Sequence, residues 1–328
     1  MPDTLHNLGG IDEAGLGPVL GPLVVGSVVL EGPAGEDPWK LLGNSTCKKP
    51  RRTGSKKLGG DRRIRVNDSK LVHTGPQGKA ELERTALVFL SESLGKTPET
   101  LQELLAQSLN FDGLELERYP WYQDLDQVPL PRWADPLEVQ FHRIRLRKDL
   151  EDHGGRLLHS GFQLILVGAF NRLIQKTNNK SLTLYYATEG VLIAALRAAR
   201  EGKATRSLIV LDRQGGRAHY ARLLARSFPK AKVQVLDEAG GRSLYSLGQG
   251  FDLLFAEKGD QLSFPTAAAS CIAKYLRELL VERINAYFLA SRPGLKPTAG
   301  YFQDGRRFLK DLGPLIQNIP SEILIRLR

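Results

Sequence analysis

The sequence predicts an α/β fold, with a mixed sheet flanked by helices and a C-terminal helical segment. Three observations predict it. Short apolar runs of strand character occur at 8–13, 22–30, 208–211 and 251–257. Other stretches place apolar residues three and four apart, the period of a helix buried on one side. From residue 208 to residue 290 the two kinds alternate, which favours helices layered on one sheet.

The first two strands, 8–13 and 22–30, are joined through Gly15, Gly17, Pro18, Gly21 and Pro22. That turn holds too many breakers for a helix, so a hairpin or bulged pair is expected. His6 reads as tail. Residues 77–95 carry Leu82, Ala86, Phe89, Leu90 and Leu94 on one helical face, and 98–108 make a shorter helix. Residues 110–135 follow neither period and read as an insertion. Their Tyr119, Trp121, Tyr122 and Trp133 could stack on bases or pin the loop to the core. Residues 136–152 look like a basic helix, 156–170 like an apolar strand, and 182–200 like a helix. Strand 208–211, helix 217–227, strands 232–236 and 251–257, and a long helix over 264–290 follow. In that helix Ile272, Leu276, Leu280, Ile284 and Phe288 point inward. A last helix is expected near 304–312.

Composition narrows the class. A chain of 328 residues with 41% hydrophobic and 25% charged residues has the profile of a globular protein with a full core. Cys47 and Cys271 are its only cysteines and lie far apart, which supports neither a disulfide framework nor a zinc knuckle. The first residues hold no basic and apolar leader, and no run reaches the roughly 20 apolar residues of a membrane span. A cytoplasmic protein without a membrane partner is expected.

Net charge is +10, and it is concentrated. Residues 48–70 hold ten Lys or Arg against Asp61 and Asp68. Such a run, rich in Gly and lacking an apolar period, is either a solvated loop or one that lies along phosphates and releases counterions.

Four acids end apolar segments: Asp12 and Glu13 in GGIDEAGLG, Asp212 in LIVLDRQGG, and Asp260 in FAEKGDQL. An acid at a strand end projects its carboxylate from the sheet edge, where several strands can converge. Like charges packed there repel unless cations lie between them. Hard Mg²⁺ or Mn²⁺ ions take oxygen ligands. Two of them about 4 Å apart can activate water and hold a phosphodiester. Asp12, mid-strand, is the best bridging candidate. Glu13 points to the opposite face of an ideal strand and joins only if the strand is bulged or ends there. Any one acid alone could be a cap, turn residue or salt-bridge partner. Asp237, Glu238 and Asp252 compete for the same role. No P-loop, zincin or hydrolase-elbow motif is present, and Gly15, Gly17 and Gly21 miss the dinucleotide fingerprint by one residue.

The residues resemble a known family, type 2 ribonuclease H, in its ribonuclease HII group. GIDEAGLGPVLGPLVV (10–25) is similar to its opening strand, NDSK (67–70) to its Asp-Ser-Lys element, and KGD with FPTAAASCIAKYLRE (258–278) to its last acid and the helix after it. AGYFQDGRRFL (299–309) is similar to its C-terminal Gly-Tyr segment, while about 100–180 matches weakly. The resemblance implies a ribonuclease H-like catalytic domain over 1–290, with insertions at about 31–66 and 110–150. The remaining segment, 291–328, would pack on or near the active site.

It further implies Asp12, Glu13, Asp212 and Asp260 as metal-binding catalytic carboxylates for Mg²⁺ or Mn²⁺. The expected activity is an endoribonuclease cutting the RNA strand of RNA–DNA hybrids or ribonucleotide-containing duplex DNA, leaving 3′-hydroxyl and 5′-phosphate ends. Gly15, Leu16 and Gly17 would meet the ribose, where the 2′-hydroxyl marks RNA. Tyr301 would pack on the sugar, and Lys70, Ser270 and Lys274 would contact phosphates. Ser270 and the neighbouring alanines also suit a helix crossing closely under a sheet, and Glu278 is either beside the site or solvated. A monomer is expected.

Two departures stand out. Leu16 stands between glycines where ribonuclease HII usually has a basic residue; the sister group ribonuclease HIII also lacks that residue and prefers longer RNA runs, so single ribonucleotides and longer tracts both stay open as substrates. Asp212 and Asp260 lie 48 residues apart, longer than the family norm, and an added strand or hairpin would explain the excess. Two other readings remain: a non-catalytic nucleic-acid-binding protein on the same scaffold, and another ribonuclease H-like nuclease acting on DNA junctions.

Overall fold

A computed structural model describes residues 5–50, 61 and 63–327. Seven strands form one mixed sheet, in the order β5 (Arg156–Ile165), β2 (Leu23–Pro33), β1 (Leu5–Ala14), β6 (Arg206–Asp212), β9 (Phe251–Ala256), β8 (Arg242–Gly248) and β7 (Gln234–Ala239). β1 (Leu5–Ala14) and β2 (Leu23–Pro33) pair antiparallel, with unbroken register from Leu5↔Pro33 to Ala14↔Val24. His6, expected as tail, is therefore a strand residue, because its backbone completes a ladder that composition alone does not reveal. Asp12, expected mid-strand, stands third from the end of β1. β2 lies between two strands and under helices on both faces. Its run LVVGSVVLE is accordingly buried throughout, which explains why it is continuously apolar and does not alternate.

Two short helices, α1 (Pro38–Leu41) and α2 (Ser69–Val72), flank a two-stranded parallel pair, β3 (Thr46–Cys47) and β4 (Ile64–Arg65). Five of the basic residues expected in the 48–70 loop, at 51, 52, 56, 57 and 62, lie outside the described residues. The long helix α3 (Gly78–Leu94) ends at Gly95, whose left-handed φ of 76° is the usual helix stop. α4 (Leu101–Leu105) and α5 (Gly113–Glu117) lead through short turns to α6 (Pro136–Asp152). In that irregular stretch Tyr119, Trp121 and Tyr122 are buried, and Trp121 packs 6.0 Å from Phe288. Of the two sequence readings, the aromatics pin the loop to the core.

The pin has a polar half as well. Fully buried Glu83 of α3 accepts the backbone N–H groups of Arg132 at 2.6 Å, Ala134 at 2.6 Å and Trp133, together with the Tyr275 hydroxyl at 2.8 Å.

β5 (Arg156–Ile165) is shorter than expected, and α7 (Val167–Thr177) follows at once. The run LILVGAF reads as strand by composition, but Phe170, Asn171 and Ile174 share the buried face of a helix. α8 (Lys180–Glu201) leads into β6 (Arg206–Asp212). α9 (Ala221–Ser227) starts four residues later than predicted. β7 (Gln234–Ala239), β8 (Arg242–Gly248) and β9 (Phe251–Ala256) complete the sheet. The β7–β8 hairpin occupies the interval between Asp212 and Asp260.

α10 (Gly259–Leu262) precedes α11 (Phe264–Ser291), and α12 (Phe302–Leu312) and α13 (Ser321–Leu324) end the described chain. α11 crosses the sheet so closely that a Cβ at Gly10 would lie 1.9 Å from the Thr266 nitrogen, and one at Gly26 2.4 Å from the Ala269 oxygen. The buried alanines 267–269 supply the matching small surface. One apolar core lies on the α3, α6 and α11 side of the sheet, and a second on the α7, α8 and α9 side. No helix among the described residues is long and apolar enough to cross a membrane.

Candidate metal centre

Parallel pairing sets the site. β1 and β6 run side by side, and their register ends at Ile11↔Leu211. The next residues, Asp12 and Asp212, therefore leave the sheet edge at the same level, on strands that neighbour at about 4.8 Å. Glu13 alternates to the other face, and no bulge interrupts its pairing with β2. It joins because the β6 pairing has already ended, the second of the two conditions set by the sequence. Carboxylate oxygens of Asp12, Glu13 and Asp212 all lie within 4.8 Å of one another.

Asp260 comes to the site by a turn. β9 pairs with β6 up to Asp212↔Ala256, after which Lys258 adopts a left-handed φ of 58° and swings the chain back. Asp212 accepts the Gly259 N–H at 2.9 Å and fixes that turn. Among the described residues Asp260 stands outside the 4.8 Å group. Its charge still acts on Asp12, and that of Asp212 acts on it.

Electrostatics report the crowding. Burial, then Glu13, Asp212 and Asp260, hold the Asp12 carboxyl well above the carboxylate range, against one lowering hydrogen bond from the Glu13 N–H. Burial and Asp212 push Glu13 up to about 8. Asp260 is raised to about 6 by burial, Asp68 and Asp212. Asp212 is raised by burial too, opposed by the N–H groups of Gly259, Arg213 and Lys258. Four acids held in this way favour protons or cations over free negative charge. An all-oxygen donor set is what Mg²⁺ or Mn²⁺ requires, so the residues fit the expected ions.

The competing acids are engaged elsewhere. Asp237 pairs with Arg242 at 2.8 Å, and Glu238 with His219 at 2.7 Å. Asp252 pairs with Leu208, near the opposite end of β6 from Asp212.

The other predicted residues surround the acids unequally. Lys70 is exposed and is the cation that lowers Glu13, Asp212 and Asp260. Gly15 has a φ of 101°, Gly17 is open to solvent, and Leu16 packs partly on the α8-side core. Tyr301 is half exposed, with its ring 5.3 Å from the Arg277 guanidinium. The Ser270 hydroxyl is buried and donates back to Ala267, and Lys274 is tied to Glu278 at 2.5 Å. Those two groups are turned to their own helix.

Sequence reasoning counted Asp68 and Lys48 in the basic segment but placed neither at the site. Asp68 caps α2 by accepting the Lys70 N–H at 2.8 Å and adds a fifth negative charge beside Asp260. Lys48 donates to the Gln261 carbonyl at 3.1 Å and lies 4.1 Å over the Trp39 ring, joining the basic segment to the α10 turn. Buried Asn67 binds the Lys48 carbonyl at 2.9 Å. An acid directly before the Ser-Lys pair was the one available signal.

No protein-family model and no curated protein sequence matches the chain. Solved structures do. RNase HII from Archaeoglobus fulgidus, determined in a PCNA complex, is similar at 17% identity and a TM-score of 0.44, over 98% of this chain and 94% of that one. Ribonuclease H2 from Pyrococcus horikoshii is similar at 15% identity and a TM-score of 0.36, over 97% and 92%. Bst-RNase HIII, determined with Mn²⁺, is similar at 12% identity and a TM-score of 0.39, over 98% of this chain and 66% of that one. The similarity spans nearly the full chain at low identity.

Proposed function

We propose that the chain is a metal-dependent endoribonuclease that hydrolyses the RNA strand of RNA–DNA hybrids, leaving 3′-hydroxyl and 5′-phosphate ends. The convergence of Asp12, Glu13 and Asp212 at one sheet edge carries this reading. A binding module for a polyanion has no use for clustered carboxylates, which repel its ligand.

Bound Mg²⁺ or Mn²⁺ would supply positive charge that activates water and stabilises the leaving oxygen. The chain's own residues do the rest. Asp12, Glu13 and Asp212 hold the ions, and Asp260 adds charge from the α10 turn. Lys70 offsets phosphate charge at the mouth. Gly17, without a side chain, lets the backbone approach the ribose, and the exposed Tyr301 ring offers a face to the sugar. The segment 291–328 belongs to this site in the proposal: the Gly300 carbonyl accepts the N–H groups of Val19 at 2.8 Å and Leu20 at 3.2 Å, which docks Tyr301 beside the Gly15 turn.

Cleavage of matched duplexes carrying one, four or all ribonucleotides in one strand, with Mg²⁺ or Mn²⁺, tests the reading. Cutting on the 5′ side of ribonucleotides supports it, and the preferred length reports what Leu16 does. An intact hybrid under conditions where a control nuclease cuts would refute it.

A further inference from the structure

Two arginines lie buried under the Gly15 turn with too little negative charge around them. Arg277 of α11 is wholly buried. Its Nη2 donates to the Ala299 carbonyl at 2.8 Å, and its guanidinium faces the Tyr301 ring. Glu278 approaches its Nη1 only to 3.7 Å and is bound more tightly by Lys274. Arg326 is 3% exposed, stacks 3.7 Å from the Phe170 ring, and donates from Nη1 to the Gly15 carbonyl. No acid among the described residues pairs with it.

The polar atoms left over mark a site. Nε and Nη1 of Arg277, and Nε and Nη2 of Arg326, are buried without a hydrogen-bond partner among the described residues. Both side chains flank one residue: a Cβ at Gly15 would lie 2.8 Å from Cδ and Nε of Arg277, while Arg326 holds the Gly15 carbonyl. The two cations also repel. Burial first, and then Arg277, lower the Arg326 pKa to about 9. Paired guanidiniums with free N–H groups are the donor set that oxyanions take, often bidentately.

We propose that Arg277 and Arg326 form an anion pocket under the Gly15–Gly17 turn that takes a single phosphate group. Gly15 follows Asp12 by three residues, at most about 11 Å of extended chain, so a phosphate held here lies within a nucleotide or a few of the acids. The group comes from a bound strand or from free inorganic phosphate. The first source rests on the nuclease reading; the pocket itself does not.

Calorimetric titration of inorganic phosphate into the metal-free full chain, at fixed ionic strength, tests the pocket. Saturable binding of one phosphate is expected, weakened at least tenfold in Arg326→Met, less in Arg326→Lys, and unchanged in Asp12→Asn. No saturable binding to the unaltered chain overturns the proposal, and so does equal binding by a folded Arg326→Met. Should that variant fail to fold, Arg326→Lys carries the same comparison. An uncleavable all-DNA duplex that expels the phosphate assigns the pocket to a strand, and simultaneous binding assigns it to the free anion. Because Asp12→Asn removes a metal ligand and not a guanidinium, its phosphate binding holds even if the chain cuts no hybrid.

Discussion

The Asp212 carboxylate accepts the backbone N–H of Gly259 at 2.9 Å, so one acid of the cluster holds the turn that presents another, Asp260. Asp212→Ala is expected to remove a ligand and loosen the α10 turn together. Its Mn²⁺ affinity should fall further than that of Asp260→Asn, by about 10–100-fold, the usual effect of losing a group that orients a ligand. Mn²⁺ titration of both variants measures the difference. Equal losses would show that the bond to Gly259 positions nothing.

Asp12→Asn separates binding from turnover. It replaces a carboxyl that must carry a proton or meet a cation with a neutral amide of the same shape, so hydrolysis should vanish while hybrid affinity persists. Because an amide need not be protonated to be buried, the variant should also stabilise the metal-free chain near neutral pH by about 1–2 kcal/mol, the range of single stabilising substitutions. Thermal melting without metal checks the second effect. A variant that no longer binds hybrid would argue against a catalytic role for Asp12.

pH should act on the metal-free chain through the same acids. Glu13 at about 8 and Asp260 at about 6 lie above their unfolded values, so the folded state binds more protons. That stabilisation is complete below the unfolded carboxylate range and is lost as pH rises through 6 to 8. His142 and His159, held down to about 4 by burial, act oppositely below about pH 6.5. Between pH 6.5 and 8.5 the acids dominate, and the melting temperature should fall. Saturating Mn²⁺ replaces the protons and should reverse the trend. Calorimetric scans across that interval, with and without Mn²⁺, give the answer; a flat profile without metal contradicts it.

Glu83 anchors the aromatic insertion to α3 through three backbone N–H groups and the Tyr275 hydroxyl. Glu83→Ala strands all four donors in a buried site and is expected to cost about 3 kcal/mol or more. Urea unfolding measures it. Loss below 1 kcal/mol would mean that water takes over the donors.

The elements that carry the acids were legible because each ends an apolar run, and α11 was legible from five inward residues at helical spacing. Of the β7–β8 hairpin, β7 was legible as a strand at 232–236, while β8 was suggested only by the long interval before Asp260. Other features depend on distant partners. α7 hides in an apolar run whose helical face shows only against α13 and α8. His6 is strand because β2 and β6 lie beside it. Asp68 and Lys48 gain meaning from Asp260 and Gln261, almost 200 residues or more away, and Arg326 from Gly15, 311 residues away. Nothing in its local sequence marks Glu83, because the three N–H groups it accepts come from residues 132–134.

The bonds from Gly300 and Arg326 to the turn at Gly15–Leu20 also bear on the order of synthesis. Translation at about 5–20 residues per second leaves roughly 15–60 s between the making of Gly15 and of Arg326. During that interval a nascent chain already carries Asp12 and Glu13, but the loop beside them has no partner. The turn at Gly15–Leu20 is therefore held in place only once the residues around Gly300 and Arg326 have emerged.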